Sequence, residues 1–297
     1  MKIVGVWVLT CLLWSTVWLF IKLGVRDVPP VSFAGIRLVL AVTTLLPVLR
    51  ILRIPLPRAA SDFRLIAVTG VLLLGVNYGL VFWGAQHLSS GLMAVLQTAT
   101  PAFGLVFARY YLPNERLTGL KMCALVVGTA GVAVICSTQW HIAGWFALAG
   151  SMAVVGGALC VAFAYVLVKA YGSHLPPAVL TGGQMLCGAI PLLLFGMITE
   201  GSPLTFQWTA TAVVALLYLA LVGSVAAFWL NYWLLQRLEA TQVLFMSIVE
   251  PLLAVLLGAM VLGERFTWRT IVGGVCIILS VGLIMSGRSS RYQGVEG

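Results

Sequence analysis

Two ionisable residues interrupt long apolar stretches of this sequence. Arg37 is the only charged residue between Asp27 and Arg50, and Glu250 is the only one between Glu239 and Glu264. A charge inside a bilayer costs at least ~2.5 kcal/mol, so such residues usually face a cavity or a partner. Arg37 could hold a carboxylate. Glu250 could hold an ammonium group or exchange a proton.

Each of these two residues also has a structural interpretation. Arg37 lies about one turn from the predicted start of its helix, where a guanidinium can bond loop carbonyls or reach lipid headgroups. Glu250 is deeper in its stretch and directly precedes Pro251, so a functional role is favoured for it over a purely structural one.

Pro101 and Pro251 predict interruptions in two apolar helices. A proline lacks its own N–H and blocks the carbonyl four residues back, here those of Gln97 and Ser247. In a membrane, freed carbonyls are tolerated where protein or cavity water satisfies them, so both breaks are expected to face the interior. The alternative is that the prolines only bend the helices for packing.

Aromatic and amide residues add further candidates. Trp14 and Trp18 lie four apart on one helical face, where they could stack a planar or cationic ligand. The four amides within predicted spans are expected to hydrogen-bond between helices: Asn77, Gln97, Gln184 and Asn231. Gln97, beside a proline break, is the best candidate for a further role. The aromatics could equally be core or lipid contacts. The candidate lining residues are Trp14, Trp18, Arg37, Asn77, Tyr78, Gln97, Tyr165, Ser247 and Glu250, with helix breaks at Pro101 and Pro251.

The composition indicates that these residues are positioned by membrane helices. Charged residues make up 8% and hydrophobic residues 61% of 297 residues, and the mean hydropathy is +1.08, far from soluble domains. The sequence predicts an all-α polytopic membrane protein, because each apolar stretch is about long enough to span. The predicted spans are 3–23, 32–52, 65–85, 90–112, 119–138, 144–169, 178–198, 209–234, 240–262 and 270–287.

The two halves of the sequence repeat each other. Gln86 and Pro101 recur 150 residues later as Gln236 and Pro251, and Glu115 recurs 149 residues later as Glu264. The repeats are expected to occupy 1–138 and 139–297. Since each holds five predicted spans, the second must cross the membrane in the opposite direction, as in inverted-repeat transporters.

The repeated glutamates predict matching turns. Glu115 and Glu264 each end a span, and each is followed by an arginine and by a threonine, Thr118 or Thr267, that can cap the next helix. The expected role is a structural turn at opposite membrane faces, with gating as the alternative.

The basic residues predict the orientation. With the N-terminus inside, twelve of the seventeen Lys and Arg residues fall on the cytoplasmic side, so both termini are expected in the cytoplasm. The first stretch is expected to be the first span, because no cleavage site follows it. This pattern favours a bacterial inner membrane, and the net charge of +9 reflects topology and lipid contact, not nucleic-acid binding.

Motifs for other function classes are missing from the sequence. It contains no Gly-x-Ser-x-Gly, no HExxH and no ATP-binding loop, and its three histidines fall near loops. The six cysteines lie in predicted spans without metal-ligand spacing. No enzyme activity, metal or cofactor is therefore expected. A scaffold or receptor remains the alternative of a different class.

One combination of motifs resembles a known family. Leu13-Trp14-Ser15, Val28-Pro29-Pro30 and the run from Phe33 to Arg37, with the repeated proline-to-glutamate signature, are similar to the EamA-type transporters of the drug/metabolite transporter superfamily. The resemblance implies ten helices in two inverted five-helix repeats around a central cavity, and export or exchange of small metabolites. Because Gln184 stands where the first half has Arg37, a charge-based site should be asymmetric.

Together these features predict a secondary transporter working by alternating access, with amino acids as the favoured substrates. Arg37 could bind the carboxylate, Glu250 the ammonium group, and the aromatics an apolar side chain. Lipophilic cations or drugs are the alternative, since Glu250 and the aromatic faces suit them without any role for Arg37. The expected partners are a small-molecule substrate and membrane lipid, and a monomer would be a complete unit.

Overall fold

Helices account for the regular structure of this chain. The computed structural model describes residues 2–88, 90–115, 117–135, 137, 144–253 and 268–286. Within these ranges every regular element is a helix, so the all-helical prediction is confirmed. The helices are α1 (Lys2–Gly24), α2 (Pro30–Ile51), α3 (60–85), α4 (Ser90–Gln97 and Ala99–Tyr111), α5 (Gly119–Ile135), α6 (Gly144–Tyr171), α7 (Pro177–Thr199), α8 (210–235), α9 (Ala240–Leu253) and α10 (Trp268–Ser286).

Six of these helices contain stretches long and apolar enough to cross a bilayer: Pro30–Ile51, Ala60–Gly84, Leu92–Tyr111, Gly144–Tyr171, Pro177–Thr199 and Ala210–Leu235. The others hold shorter apolar stretches within the described residues: Ile3–Val17, Gly119–Ile135, Ala240–Leu253 and Trp268–Ile284. The chain is therefore a multi-pass membrane protein.

Local sequence explains where several helices begin. Pro30 and Pro177 occupy the first turns of α2 and α7, where the missing N–H has no cost. Thr118 caps α5 as predicted, because its Oγ1 accepts a hydrogen bond from Lys121 N at 3.3 Å. Thr209 caps α8 in the same way.

The helix that contains the predicted span 65–85 begins five residues before it, at Ala60. It therefore also contains Arg64, which lies outside the predicted span. Asp62 lies in its first turn, where a carboxylate stabilises the positive end of the helix dipole.

Two helices contain a π-helical segment that the sequence analysis did not predict. The segments are Val71–Val76 in α3 and Leu219–Ala226 in α8. Each contains a glycine, Gly75 or Gly223, 148 residues apart. A π-helical turn inserts a residue, displaces backbone carbonyls from their usual partners, and is common at functional sites.

Helices from the two halves pack in antiparallel pairs. Along α2 and α7, Gly196 approaches Ser32 and Gly182 approaches Leu45. Along α5 and α10, Gly128 approaches Ser280 and Gly131 approaches Gly273 and Ile277. The small residues allow the backbones to come close, as is usual between membrane helices.

The start of α9 lies beside the end of α4. The N–H of Ala240, the first residue of α9, donates to the carboxylate of Glu115, which follows α4. This pair is therefore also antiparallel. The Glu115 end of the bundle carries the loops 112–118, 172–176 and 236–239, and the opposite end carries Glu200, whose carboxylate caps α2.

Candidate functional site

Arg37 is a buried cation held by the π-helical segment of α8. The whole residue is only 3% exposed. Nε donates to Ser224 Oγ at 2.8 Å and Nη2 donates to the Gly223 carbonyl at 3.2 Å. The π-helical turn thus supplies the acceptors that a guanidinium needs away from water.

The headgroup alternative for Arg37 is wrong, since a 3% exposed residue does not reach the lipid surface. Among the described residues, no carboxylate lies within ion-pairing distance of this guanidinium; the described ion pairs are Lys121–Glu239 and His174–Asp62. Two of the five guanidinium N–H groups are directed to α8. Within the described residues, no hydrogen bond of the other three is found.

Aromatic rings form two groups in this part of the structure, and one of them lies beside the guanidinium. The Arg37 guanidinium carbon lies 5.9 Å from the ring centroid of Tyr78, a cation–π distance. A second aromatic series joins α1, α8 and α6. Its ring centroids are separated by 5.5 Å for Trp14 and Phe228, 6.4 Å for Phe228 and Tyr232, and 6.0 Å for Tyr232 and Tyr165.

Glu250 lies on α9 next to this aromatic series. Its residue is partly buried, and its charge is close enough to act electrostatically on Tyr165 and on Cys11. Ser15 of α1 lies near the Glu250 carbonyl, with the hydroxyl 3.5 Å from the oxygen. Glu250 and Tyr165 therefore belong to one interior region, bordered by α1, α6 and α9.

Buried amide side chains form hydrogen bonds with the tyrosines of this series. Asn231 Nδ2 donates to the Tyr165 hydroxyl at 2.8 Å. Gln184 Nε2 donates to Thr69 Oγ1 at 2.7 Å, and the Tyr232 hydroxyl donates to Gln184 Oε1. The predicted helix-to-helix hydrogen bonds are thus confirmed for Gln184 and Asn231. They are not found for Asn77 and Gln97, whose described hydrogen bonds stay within their own helices.

Three candidate lining residues bond mainly to their own helices. Asn77 Nδ2 donates to the Leu73 carbonyl, Ser247 Oγ to the Leu244 carbonyl, and Gln97 Oε1 lies 3.5 Å from Thr100 Oγ1. No described hydrogen bond joins these side chains to Arg37 or Tyr78. Trp18 is on α1, but its side chain lies outside the described part of the structure.

The helices that contain Pro101 and Pro251 are both interrupted before the proline. In α4 the break is at Thr98, three residues before the buried Pro101, and in α9 it is at Phe245, six residues before Pro251. Side-chain hydroxyls hydrogen-bond to nearby backbone carbonyls at both breaks. Thr98 Oγ1 donates to the Val95 carbonyl, and Ser247 Oγ donates to the Leu244 carbonyl.

Glu115 is more than a turn residue. Its carboxylate bonds the first residues of α9, in the other half of the chain. Burial raises the pKa of this carboxyl above its ordinary value of 4.5, although the Ala240 N–H opposes the shift. Its repeat partner Glu264 lies outside the described residues.

The residues that the sequence analysis missed are Ser224, Phe228 and Tyr232. Hydroxyls and aromatic rings are common in membrane helices, so composition does not distinguish these three from packing residues. The π-helical segment around Gly223 gives Ser224 its role, and a π-helical turn leaves no clear local pattern in the sequence.

Comparison with known proteins identifies relatives along the whole chain. The family model described as the EamA-like transporter family matches residues 1–137 and again 148–286. The uncharacterized transporter YoaV of Bacillus subtilis is 29% identical, over 91% of this chain and 92% of its own length. The uncharacterized inner membrane transporter YedA of Escherichia coli K12 is also 29% identical, over 93% of this chain and 88% of its own.

Two further comparisons bear on function and fold. A protein of Salmonella typhimurium named "Probable amino-acid metabolite efflux pump" is 24% identical, over 96% of this chain and 97% of its own length. One crystal structure superposes with a TM-score of 0.83 at 17% identity, covering 96% of this chain and 98% of the other. At that identity the likeness concerns the fold alone.

Proposed function

Because this chain belongs to the EamA-like transporter family, we propose that it exports or exchanges amino acids or closely related metabolites by alternating access. Its identity as a membrane transporter follows from the family. The site supports the proposed substrate class, and the pairing of the two halves supports alternating access.

The observation that carries the substrate class is the environment of Arg37. Its guanidinium is buried and held by α8, and no carboxylate of the described residues pairs with it. A buried cation without a counter-charge is costly. The α-carboxylate of an amino acid would supply that counter-charge through charge-assisted hydrogen bonds.

The other site residues suit the rest of an amino acid. Glu250 would hold the ammonium group, and the aromatic series of Trp14, Phe228 and Tyr165 would pack an apolar side chain. The name of the Salmonella relative supports the same substrate class.

Repeats that cross the membrane in opposite directions are a common architecture for alternating access. The antiparallel pairs α2/α7, α4/α9 and α5/α10, and the two matches to the family model, support ten spans in two inverted repeats, residues 1–138 and 139–297. The basic residues favour both termini in the cytoplasm. The relative named an inner membrane transporter supports a bacterial inner membrane.

Lipophilic cations are the second candidate class of substrate. The aromatic series and the nearby Glu250 could stack and neutralise such a ligand. Arg37 separates the two classes, since a cation gains nothing from a buried guanidinium that repels it.

The test is counterflow of radiolabelled amino acids in liposomes containing the purified protein. We expect amino acids to compete, their methyl esters to compete weakly, and Arg37→Gln to lower kcat/KM by roughly tenfold to a hundredfold, because a charged hydrogen-bond partner is lost. Arg50→Gln, at the exposed end of the same helix, is the matched control and should transport normally.

Two results would overturn the amino-acid assignment. Stronger competition by cationic dyes than by amino acids would favour the drug-exporter function. Equal amino-acid transport by Arg37→Gln and Arg50→Gln would remove Arg37 from the site.

A complete lack of flux with either class of substrate would favour a scaffold or receptor.

A further inference from the structure

The loop after α4 reaches across to the first turn of α9. Glu115 Oε1 accepts from Ala240 N at 2.7 Å, and Oε2 lies 3.4 Å from both Thr241 N and Thr241 Oγ1. The glutamate residue is 7% exposed. A carboxylate on free N–H groups at a helix start is stabilised by both hydrogen bonding and the helix dipole.

Neighbouring charges tie more elements to the same place. Lys121 of α5 forms an ion pair at 2.7 Å with Glu239, which precedes α9 and takes part in its capping box. Lys169, near the end of α6, donates to the Leu235 carbonyl of α8 at 2.6 Å. This end of the bundle is thus closed by polar contacts among α5, α6, α8, α9 and the loop after α4.

Behind Glu115, α4 and α9 are in close contact. The Leu244 side chain of α9 occupies the space that a Cβ on Gly104 of α4 would need, and Leu244 is 4% exposed. Glu250 lies further along α9. A path from the Glu115 end to the interior region would therefore have to separate α4 from α9.

We propose that Glu115 is the latch of a gate between the halves, a positioning residue that holds α4 against α9 and closes the Glu115 end of the bundle. This proposal rests on the proposed alternating access, and it adds the contact that would close the protein at one face. In the proposed orientation this face is cytoplasmic, and release of Glu115 from Ala240 and Thr241 precedes opening inward.

The test measures access to a thiol placed behind the latch. The full chain with its native cysteines replaced carries Leu244→Cys, and a membrane-impermeant maleimide is applied from the Glu115 face. We expect Glu115→Ala to speed labelling roughly tenfold or more, because hydrogen bonds to a charged group are lost. Glu115→Asp should act similarly, since its shorter side chain keeps the charge but not the reach.

Glu200→Ala is the matched control. Glu200 also caps a helix start, with its carboxylate oxygens 3.0 Å and 2.7 Å from Val31 N and Ser32 N, but at the opposite end of the bundle. Its removal should leave labelling from the Glu115 face unchanged. A general loosening of the fold would instead increase labelling in both variants.

Unchanged labelling in Glu115→Ala and Glu115→Asp would overturn the latch, as would an equal increase in Glu200→Ala. If one Glu115 variant fails to fold, the other decides. Labelling requires no substrate, so faster labelling in a protein that fails the amino-acid flux assay would support the latch and reject the substrate class. Normal flux with unchanged labelling would reject the latch alone.

Discussion

Arg37 and Gln184 occupy corresponding places in the two halves, but they bind different partners. Arg37 donates to Ser224 and to a backbone carbonyl, whereas Gln184 links Thr69 to Tyr232. The first arrangement holds a positive charge, while the second is neutral. The asymmetry expected from the sequence is thus present in the described contacts, and any anion attracted to this region would be drawn to Arg37.

Charge made Arg37 and Glu250 identifiable from sequence alone, because a membrane interior rarely contains ionised groups. The same reasoning could not identify the partners of Tyr232 or Asn231, although Asn231 was expected to hydrogen-bond between helices. Their roles depend on which neighbours they meet across helices, and spacing along the chain does not contain that information.

Glu250→Gln tests proton coupling. A partly buried carboxyl can exchange a proton during a transport cycle, and an amide cannot. We expect the variant to lose uptake driven by a pH gradient in inverted vesicles while keeping some substrate exchange. Glu200→Gln, in the loop after α7, is the control and should keep both activities. Gradient-driven uptake at the wild-type rate in Glu250→Gln would show that Glu250 is structural or that the protein is a facilitator.

At the scale of elements, local signals indicated the cap of α5 at Thr118 and the interruptions in α4 and α9, but not the π-helical segments. Pro30 and Pro177 lie in the first turns of α2 and α7, close to the predicted span starts at 32 and 178. The π-helical segments were not predictable, because spacing along the chain does not show contacts with other helices. One such contact is the Gly223 carbonyl with Arg37.

The contact between α3 and α7 depends on glycine. A Cβ on Gly188 would lie 2.5 Å from Leu74 Cβ and 2.9 Å from the Gly70 carbonyl oxygen. We expect Gly188→Ala to destabilise the protein by about 1–3 kcal/mol, because the helices must separate. A lower unfolding temperature for Gly188→Ala than for the wild type in detergent would show this destabilisation.

Gly79→Ala is the control for this substitution. Gly79 also lies on α3, and a Cβ there would meet nothing within 4 Å. Since alanine favours helix more than glycine does, the control should be as stable as wild type or more so. Equal unfolding temperatures for the two variants would contradict close packing of α3 on α7.

At the scale of the whole molecule, the two halves meet through corresponding helices. Corresponding helices pack in antiparallel pairs in α2/α7, α4/α9 and α5/α10. Antiparallel packing of equivalent helices is the arrangement that the proposed inverted repeats would give. The odd number of predicted spans per half gave the same expectation from the sequence, because chain direction depends only on counting apolar stretches. The surroundings of Arg37 on α8 were not predictable in this way.

The most direct measurement of the inverted arrangement is the sidedness of two cysteines. Leu56→Cys, before α3, and Leu204→Cys, before α8, are introduced separately into the cysteine-free chain. Both leucines are well exposed, at 65% and 94%. In intact cells an impermeant maleimide should label Leu204→Cys, and it should label Leu56→Cys only after the membrane is opened. Labelling of both cysteines from the same side would contradict the inverted halves and the alternating access built on them.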